Sequence, residues 1–323
     1  MRVGFVYNVR SGERATAPSD DEAEFDDPGT IAAISDAITS HGHEVVGLEA
    51  DATLPAAVVA ANVDVVFNIA EGRGSRSRES QVPALLDLLG IPYTGSDAVA
   101  LGVTLDKSLA KMVVRAAGIA TPLWTVMTVG DEPLPERFRL PAIVKPLHEG
   151  SSKGIEADSV ATDERRLRRR ARDVIGRYEE PVLCEEYIAG REITVGLLGS
   201  PARVLPPMEV VFLGDEELPL YSFDVKKRFE ELVRYEVPAQ LADAELAALE
   251  HDSLAAFAAL GCRDVARIDF RLAADGTPVF LECNPLPGLA PGVGDLTFIA
   301  EAAGISFEGL IGEILDCALR RLP

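Results

Sequence analysis

The sequence predicts a chain of α/β and α+β character in three modules: an opening parallel sheet covered by helices, a central strand-and-helix unit, and a closing unit with a largely antiparallel sheet. Three observations carry this. Short apolar runs alternate with helix-length amphipathic segments over the first hundred residues. A breaker sequence at 119–122 separates a helical stretch from a strand. Beyond residue 190, apolar runs follow one another at close to meander spacing.

In order, VGFVY (3–7), a helical stretch over 30–40, EVVGL (44–48) and DVVFNIA (64–70) give the βαβ sequence that makes a parallel sheet. Over 79–89, Val82, Leu85, Leu86 and Leu89 fall on one helical face, and Gly90 is a natural stop. A helix over 106–118 is broken by Ile119-Ala120-Thr121-Pro122, after which LWTVMTV reads as a strand. PAIVKP (141–146), a glycine/serine loop, a helix near 163–176 and the strand PVLCEEYI (181–188) complete the central unit. The closing unit carries REITVGLLG (191–199), ARVLPPMEVVF (202–212), a helix over 243–260, ARIDFRL (266–272) and PVFLECNP (278–285). No internal repeat or low-complexity tract interrupts this order, and the expected modules are 1–104, 105–188 and 189–323.

With 323 residues, 47% hydrophobic and 26% charged, the chain can bury cores in two or three modules. Lys+Arg total 31 against Asp+Glu 52, a formal net charge of -21, which argues against a broad basic footprint for nucleic acid or an anionic membrane. Any phosphate chemistry must therefore use local cations. Cys184, Cys262, Cys283 and Cys317 lie far apart in sequence, with no Cys-x-x-Cys pair and no histidine at metal-ligand spacing. Reduced thiols in a cytoplasm fit best. The run at 3–7 is too short for a signal-peptide core or a membrane span, so the chain is read as soluble and cytoplasmic. The arginine-rich run 164–172 reads as a solvated helix face, because Leu167, Ala171, Val174 and Ile175 recur at helical spacing and leave the arginines the outward side.

Two segments carry chemistry. In IVKPLHEGSSKGI (143–155) an apolar strand delivers Lys145 to a loop containing Gly150, Ser151, Ser152 and Gly154. Small residues let backbone N–H groups approach phosphate oxygens, and a lysine neutralises part of a triphosphate. Taken alone, an ordinary turn beside a surface lysine reads equally well. The segment is neither a Walker A loop nor a G-x-G-x-x-G. The second segment is a hairpin whose strands, ARIDF and FLECNP, would bring Asp269, Glu282 and Asn284 to one face. Three hard oxygen donors suit Mg²⁺ shared with phosphates, although acidic strand residues more often simply face solvent. Arg267 shares the face of Asp269, where a guanidinium can stabilise charge on a carboxylate or tetrahedral centre.

Lys107 in TLDKSLAK, Lys145 with its loop, EEYIAGREITV (185–195), YSFDVKK (221–227), GCRDVARIDF (261–270) and LECNPLPGL (281–289) follow one another in the order and spacing of the D-alanine–D-alanine ligases. Over roughly residues 64–320 the chain resembles that family. The resemblance implies a Rossmann-like, pre-ATP-grasp N-terminal sheet followed by a two-module ATP-grasp fold. It implies ATP and Mg²⁺ as cofactors, two ions with Mn²⁺ able to substitute, and small-molecule carboxylate and amine substrates. It also allows a homodimer. Carried over by position, Lys107 and Lys145 would contact phosphates, with Ser151, Ser152 and Lys226 closing over them. Glu185, Glu186, Tyr187, Ile188 and Phe280 would lie along the adenine, and Glu192 would hold the ribose. Asp269, Glu282 and Asn284 would ligate metal. Arg267, Ser151, Lys226, Lys227 and the backbone at Gly288 would face the reacting groups, and 224–236 would form a lid.

The substrate-facing positions depart from that pattern. In AEGRGSRSRESQ (70–81) Glu71 stands where the family has a histidine. Lys227 stands where it has a tyrosine, Val293 where a serine receives the second carboxylate, and Glu13 only loosely retains an acidic contact. A loop bearing Arg73, Arg76 and Arg78 could pair with an acidic or phosphate-bearing acyl donor, or with Glu79 and neighbouring carboxylates. The expectation is an amide-forming ligase of specialised metabolism, with a D-alanine–D-alanine ligase of cell-wall synthesis as the alternative.

Overall fold

In the computed structural model, which describes residues 1–10, 22–74 and 76–322, the chain lays down three sheets. The first contains β1 (Arg2–Tyr7), β2 (Glu44–Glu49) and β3 (Val65–Asn68), all parallel, in the order β2-β1-β3. The crossovers are α1 (Pro28–Ser40) and α2 (Leu54–Ala61). Asp27 starts α1 by accepting from the backbone N–H groups of Gly29 and Thr30 at 2.7 and 3.0 Å. Helix α3 (Gln81–Leu89) begins after a 3₁₀ turn at Arg78–Ser80 and ends at Gly90, whose φ of 67° is the left-handed cap expected there. Its buried face is narrower than the periodicity suggested: Val82 and Leu86 are buried, whereas Leu89 is 38% exposed. Helix α4 (Ala98–Leu105) was not legible, because AVALGVTL is apolar almost throughout and has no period. In α5 (Lys107–Ala116), Asp106 caps the N-terminus through Ser108 and Leu109, which fixes where Lys107 emerges.

The central sheet is antiparallel: β4 (Trp124–Met127), β5 (Ala142–Pro146), β6 (Val160–Ala161) and β7 (Val182–Glu186) run in the order β4-β7-β5-β6. Helix α6 (Glu164–Tyr178) covers it with Leu167, Ala171 and Val174. One arginine of its basic run departs from the outward placement. Arg170 is buried and bonds the Gly154 carbonyl, the Ser159 hydroxyl and the Glu156 carboxylate at 3.0, 3.2 and 3.1 Å. It faces inward because it fastens the far end of the glycine/serine loop.

The closing sheet contains β8 (Arg191–Leu198), β9 (Arg203–Val204), β10 (Met208–Phe212), β11 (Val233–Glu236), β12 (Val265–Leu272) and β13 (Pro278–Asn284). All are antiparallel, in the order β11-β10-β8-β12-β13 with β9 beside β8. The short helices α7 (Phe223–Lys227) and α8 (Phe229–Leu232) lie between β10 and β11. Helices α9 (Asp243–Ala259), α10 (Asp295–Ala302) and α11 (Phe307–Leu319) complete the fold.

Two cores cross the expected module boundaries. Phe5, Ile34 and Phe67 pack with Leu198, Leu296 and Ile311, so the first and third sheets share apolar contacts. Ala110 and Val114 of α5 join Val195, Phe257 and Phe270, placing that helix against the closing sheet rather than the central one. All four cysteines are buried free thiols, and Cys262 and Cys283, distant in sequence, approach to 3.8 Å between sulfurs. Among the described residues no helix is long and apolar enough to cross a membrane.

Candidate active site

Strands β12 and β13 set Asp269 opposite Glu282 and Arg267 opposite Asn284, the convergence that period-two alternation predicted. An irregularity after Asp269 leaves Leu281 as an extra residue in β13. It turns Phe280 away, so Phe280 is fully buried edge-on to Phe270, and Leu281 takes the cleft-lining position expected of it. Arg267 donates through Nε and Nη2 to Asp269 at 3.1 and 2.8 Å and through Nη1 to Asp295 at 2.9 Å. Asp295, the first residue of α10, was not foreseen, since no motif marked it. Asp269 also accepts from Thr194 Oγ1 at 3.0 Å and Asn284 Nδ2 at 3.2 Å. Burial pushes the Asp269 carboxyl up, with Arg267 opposing. For Glu282, burial is outweighed by the charges of Lys107, Lys145 and Arg267, which bring it down to about 2 and hold it as a carboxylate.

The lysines come from two other elements. Lys145 leaves β5 beside β7, and its Nζ lies 2.7 Å from Glu185 Oε1. The second Glu185 oxygen is 2.8 Å from Lys111 Nζ, which also donates to the Leu281 carbonyl at 2.7 Å. Lys111 is completely buried, and burial outweighs Glu185 to bring its pKa down to about 8. Sequence reasoning missed it, although its i,i+4 spacing from Lys107 was a usable signal. Lys107 donates to the Glu149 carbonyl.

Ser151 and Ser152 occupy the left-handed region, φ 48° and 56°, in the loop after β5. Gly154 is required nearby: its φ is 66°, and a Cβ there would stand 2.6 Å from Pro146 Cγ. The Ser152 hydroxyl donates to the Tyr221 carbonyl at 3.0 Å, and Phe223 N–H to the Ile155 carbonyl at 3.1 Å. The loop is thereby tied to the α7 segment. Lys226 of α7 faces the site, but the ammonium of Lys227 rests 4.1 Å from the centre of the Phe223 ring and lines neither cleft described below. That contact removes Lys227 from the position expected for it.

Two clefts meet here. One, about 820 Å³, is lined by Lys145, Glu185, Glu186, Tyr187, Ile188 and Glu192. Glu192 pairs with Arg271 at 2.7 Å, and the Arg271 guanidinium lies 5.4 Å from the Tyr187 ring centre. The other, about 1270 Å³, is lined by Glu71, Lys107, Asn284, Gly288 and Val293. Ser151, Lys226, Arg267, Glu282 and Asp295 line both. The turn between β13 and α10 closes tightly, because a Cβ on Gly294 would stand 2.4 Å from the Gly288 carbonyl oxygen.

The arginine loop does not serve this space. Arg78 is buried, donates through Nη2 to both Glu24 carboxylate oxygens at 2.7 and 2.9 Å and through Nη1 to the His148 carbonyl at 2.7 Å. Arg73 stacks 4.6 Å from the Phe25 ring centre, and Arg76 points to Asp106 from an exposed position. None of the three lines either cleft, because nearer carboxylates and a ring satisfy them, so the expectation of an arginine-held acidic donor is corrected. Glu13 lies outside the described residues.

Beside Asp106, His148 is buried between that carboxylate at 3.3 Å and Glu180 at 3.1 Å. Burial works against its charge, but the two carboxylates win and raise its pKa above 6.5. Stability from this imidazolium is complete below its unfolded value and is lost as pH rises through the higher folded value. The stability difference between wild type and His148→Gln, followed by urea unfolding, is expected to shrink as pH rises from about 6.5 through the higher folded value. A difference that grew over this range would refute the pairing.

A family model described as D-ala D-ala ligase C-terminus matches residues 113–316. An uncharacterised protein of Sinorhizobium fredii (strain NBRC 101917 / NGR234) is 37% identical over 294 residues, 88% of this chain and 86% of that protein. The D-alanine–D-alanine ligase of Aquifex aeolicus (strain VF5) is 34% identical over 317 residues, 98% of this chain and 100% of that one. The crystal structure of D-alanine–D-alanine ligase from Bacillus anthracis complexed with ATP matches with a TM-score of 0.76 at 24% identity, over 99% of this chain and 97% of that chain, which shows a common fold. A whole-length match in sequence and in the arrangement of the three sheets makes this chain a member of the D-alanine–D-alanine ligase family, an ATP-dependent ligase of the ATP-grasp fold.

Proposed function

We propose that this chain joins a carboxylate to an amine through an acyl phosphate, and that its substrates are not two molecules of D-alanine. The observation that carries the reading is the boundary between the two clefts, where Lys226, Arg267 and Glu282 face both spaces at once. ATP would enter the first cleft with its base along Tyr187 and Ile188 and its ribose at Glu192, held in place by Arg271. Lys107, Lys145, Lys226 and the Ser151–Ser152 backbone would meet the phosphates.

Asp269, Glu282 and Asn284 offer two carboxylates and an amide oxygen on one face, a donor set that fits Mg²⁺. The ion would neutralise phosphate charge. A carboxylate oxygen of the first substrate attacks the γ-phosphorus, and ADP leaves. The neutral amine of the second substrate then attacks the acyl carbon and phosphate leaves, with Arg267 and the backbone at Gly288 placed to stabilise the tetrahedral oxyanion. Water would hydrolyse the acyl phosphate, so the α7–α8 segment, bonded to the glycine/serine loop, is assigned as the lid. A cytoplasmic site of action accords with ATP use and four free thiols.

Glu71 and Val293 line the second cleft where family members offer histidine and serine, which supports substrates other than a D-alanine pair in specialised metabolism. The competing reading, a D-alanine–D-alanine ligase of cell-wall synthesis, is favoured by 34% identity over the full length of the Aquifex aeolicus enzyme. Hydroxylamine with ATP and a panel of acids tests the reaction class: hydroxamate and ADP should appear together for a preferred acid. Hydroxamate absent with every acid would remove the ligase reading. Rapid formation of D-alanyl-D-alanine would replace the first substrate assignment with the second.

A further inference from the structure

The reaction outlined above leaves unused a pair of carboxylates in the second cleft. Glu71 and Glu79 line its wall on the N-terminal module, and Glu79 is only 8% exposed. Among the described residues neither carboxylate has a hydrogen bond or an ion pair. Asp26 lines the same cleft and adds to the negative charge felt by Glu71, whereas three other acidic neighbours are already engaged. Glu24 holds Arg78 and the Gly150 N–H, Glu149 holds Lys153 at 2.5 Å, and Asp27 caps α1. The cations facing the cleft are engaged as well: Arg10 by the Phe25 and Glu22 carbonyls, Lys107 by the Glu149 carbonyl, and Arg267 by Asp269 and Asp295. Lys226 lines the boundary shared by both clefts.

Burying a carboxylate without a partner is costly, and the cost is visible here. Burial and the charge of Glu79 push Glu71 well above the ordinary carboxyl range. Burial takes Glu79 to about 7, with Arg78 and Lys107 opposing and Glu24 and Glu149 adding. Glu71 also lines a narrower recess of about 500 Å³ that runs on past Phe67, Ile69, Leu286 and Leu289. An acidic mouth thus opens on a recess that is apolar along part of its wall.

We propose that the substrate seated in this cleft carries a second cationic group, an ammonium or guanidinium on a short aliphatic arm, which docks between the Glu71 and Glu79 carboxylates. The inference rests on the ligase reading for which cleft is the substrate's. It reverses the electrostatic expectation from the arginine loop: the groups presented to the substrate are acids, so a basic amino acid or a diamine fits and an acidic donor is repelled.

The test compares size-matched pairs that differ in charge, in both stereochemistries, 2,4-diaminobutyrate against norvaline and ornithine against norleucine, by ADP release with hydroxamate trapping. The cationic member should exceed its neutral partner in kcat/KM by roughly 10- to 100-fold, the span of one charge-assisted contact. In Glu79→Gln and Glu71→Gln that ratio should fall towards one. Glu79→Gln should also melt at or above the wild-type temperature near pH 8, since it removes an unpaired buried charge, which separates loss of recognition from loss of fold. A wild-type ratio of one or less, or a ratio unchanged in both variants, overturns the proposal. Failure of the ligase reading looks different, because no acid of any charge would then give hydroxamate. Calorimetric titration of the same pairs decides the matter in that case: tighter binding of the cationic member, lost in Glu79→Gln, supports the cation site, and equal binding of both members rejects it.

Discussion

Arg267→Lys is expected to lower kcat by roughly 10²- to 10³-fold while leaving the KM for ATP within a few-fold, the pattern of a group acting on developing charge. The reason is geometric. Arg267 sits at the junction of the two clefts with its fork divided between Asp269 and Asp295, so its plane is held before substrate arrives. A lysine keeps the charge but presents one point, and cannot span both carboxylates and a tetrahedral oxygen. One of the buried acids would lose its partner, so a stability loss of about 1–3 kcal/mol should accompany the rate effect. Single-turnover kinetics with the preferred acid measures the first, and urea unfolding the second. A kcat within about threefold of wild type would remove Arg267 from the reaction.

Glu185→Gln should have the larger effect on folding, a loss of about 3–5 kcal/mol, because it strips the shared counter-charge from two buried ammonium groups at once. Lys111 is wholly inside the protein and is already pulled down to about 8 by burial, so without Glu185 it should lose its proton near neutrality. Lys145 would lose the contact that aims it into the first cleft, and the KM for ATP should rise along with the instability. Adding Lys111→Met to Glu185→Gln removes one of the stranded charges and should recover part of the loss. A double-mutant cycle reads this coupling directly. A Glu185→Gln variant within about 1 kcal/mol of wild type would mean that the three groups do not act as a unit.

The site was legible where chemistry is written along one strand or one hairpin. Period-two alternation brought Asp269, Glu282, Asn284 and Arg267 together, and the glycine/serine loop after Lys145 was recognisable from its small residues. Residues that act across elements were not. Lys111 is marked only by its spacing from Lys107 and Asp295 by nothing local, and each acquires its role only when α5 meets β7 and α10 meets β12. Phe280 and Lys227 were misplaced for the complementary reason. A single extra residue in β13 and a lysine resting on its own helix's phenylalanine are decided by packing, not by spacing.

By itself the sequence determined the order of the elements, the run of cleft-lining lysines and metal-suited side chains, and membership of the family, because these depend on periodicity and on residues near one another in the chain. Only the tertiary structure decided which charges remain available to a substrate. Seven arginines in one helix and three in one loop said little about function until their partners were known, and Arg78 proved to be spent on Glu24 while Glu71 and Glu79 were left facing the cleft. Charge at a site is what remains after neighbours from distant parts of the chain have paired, and that sum exists only in the folded molecule.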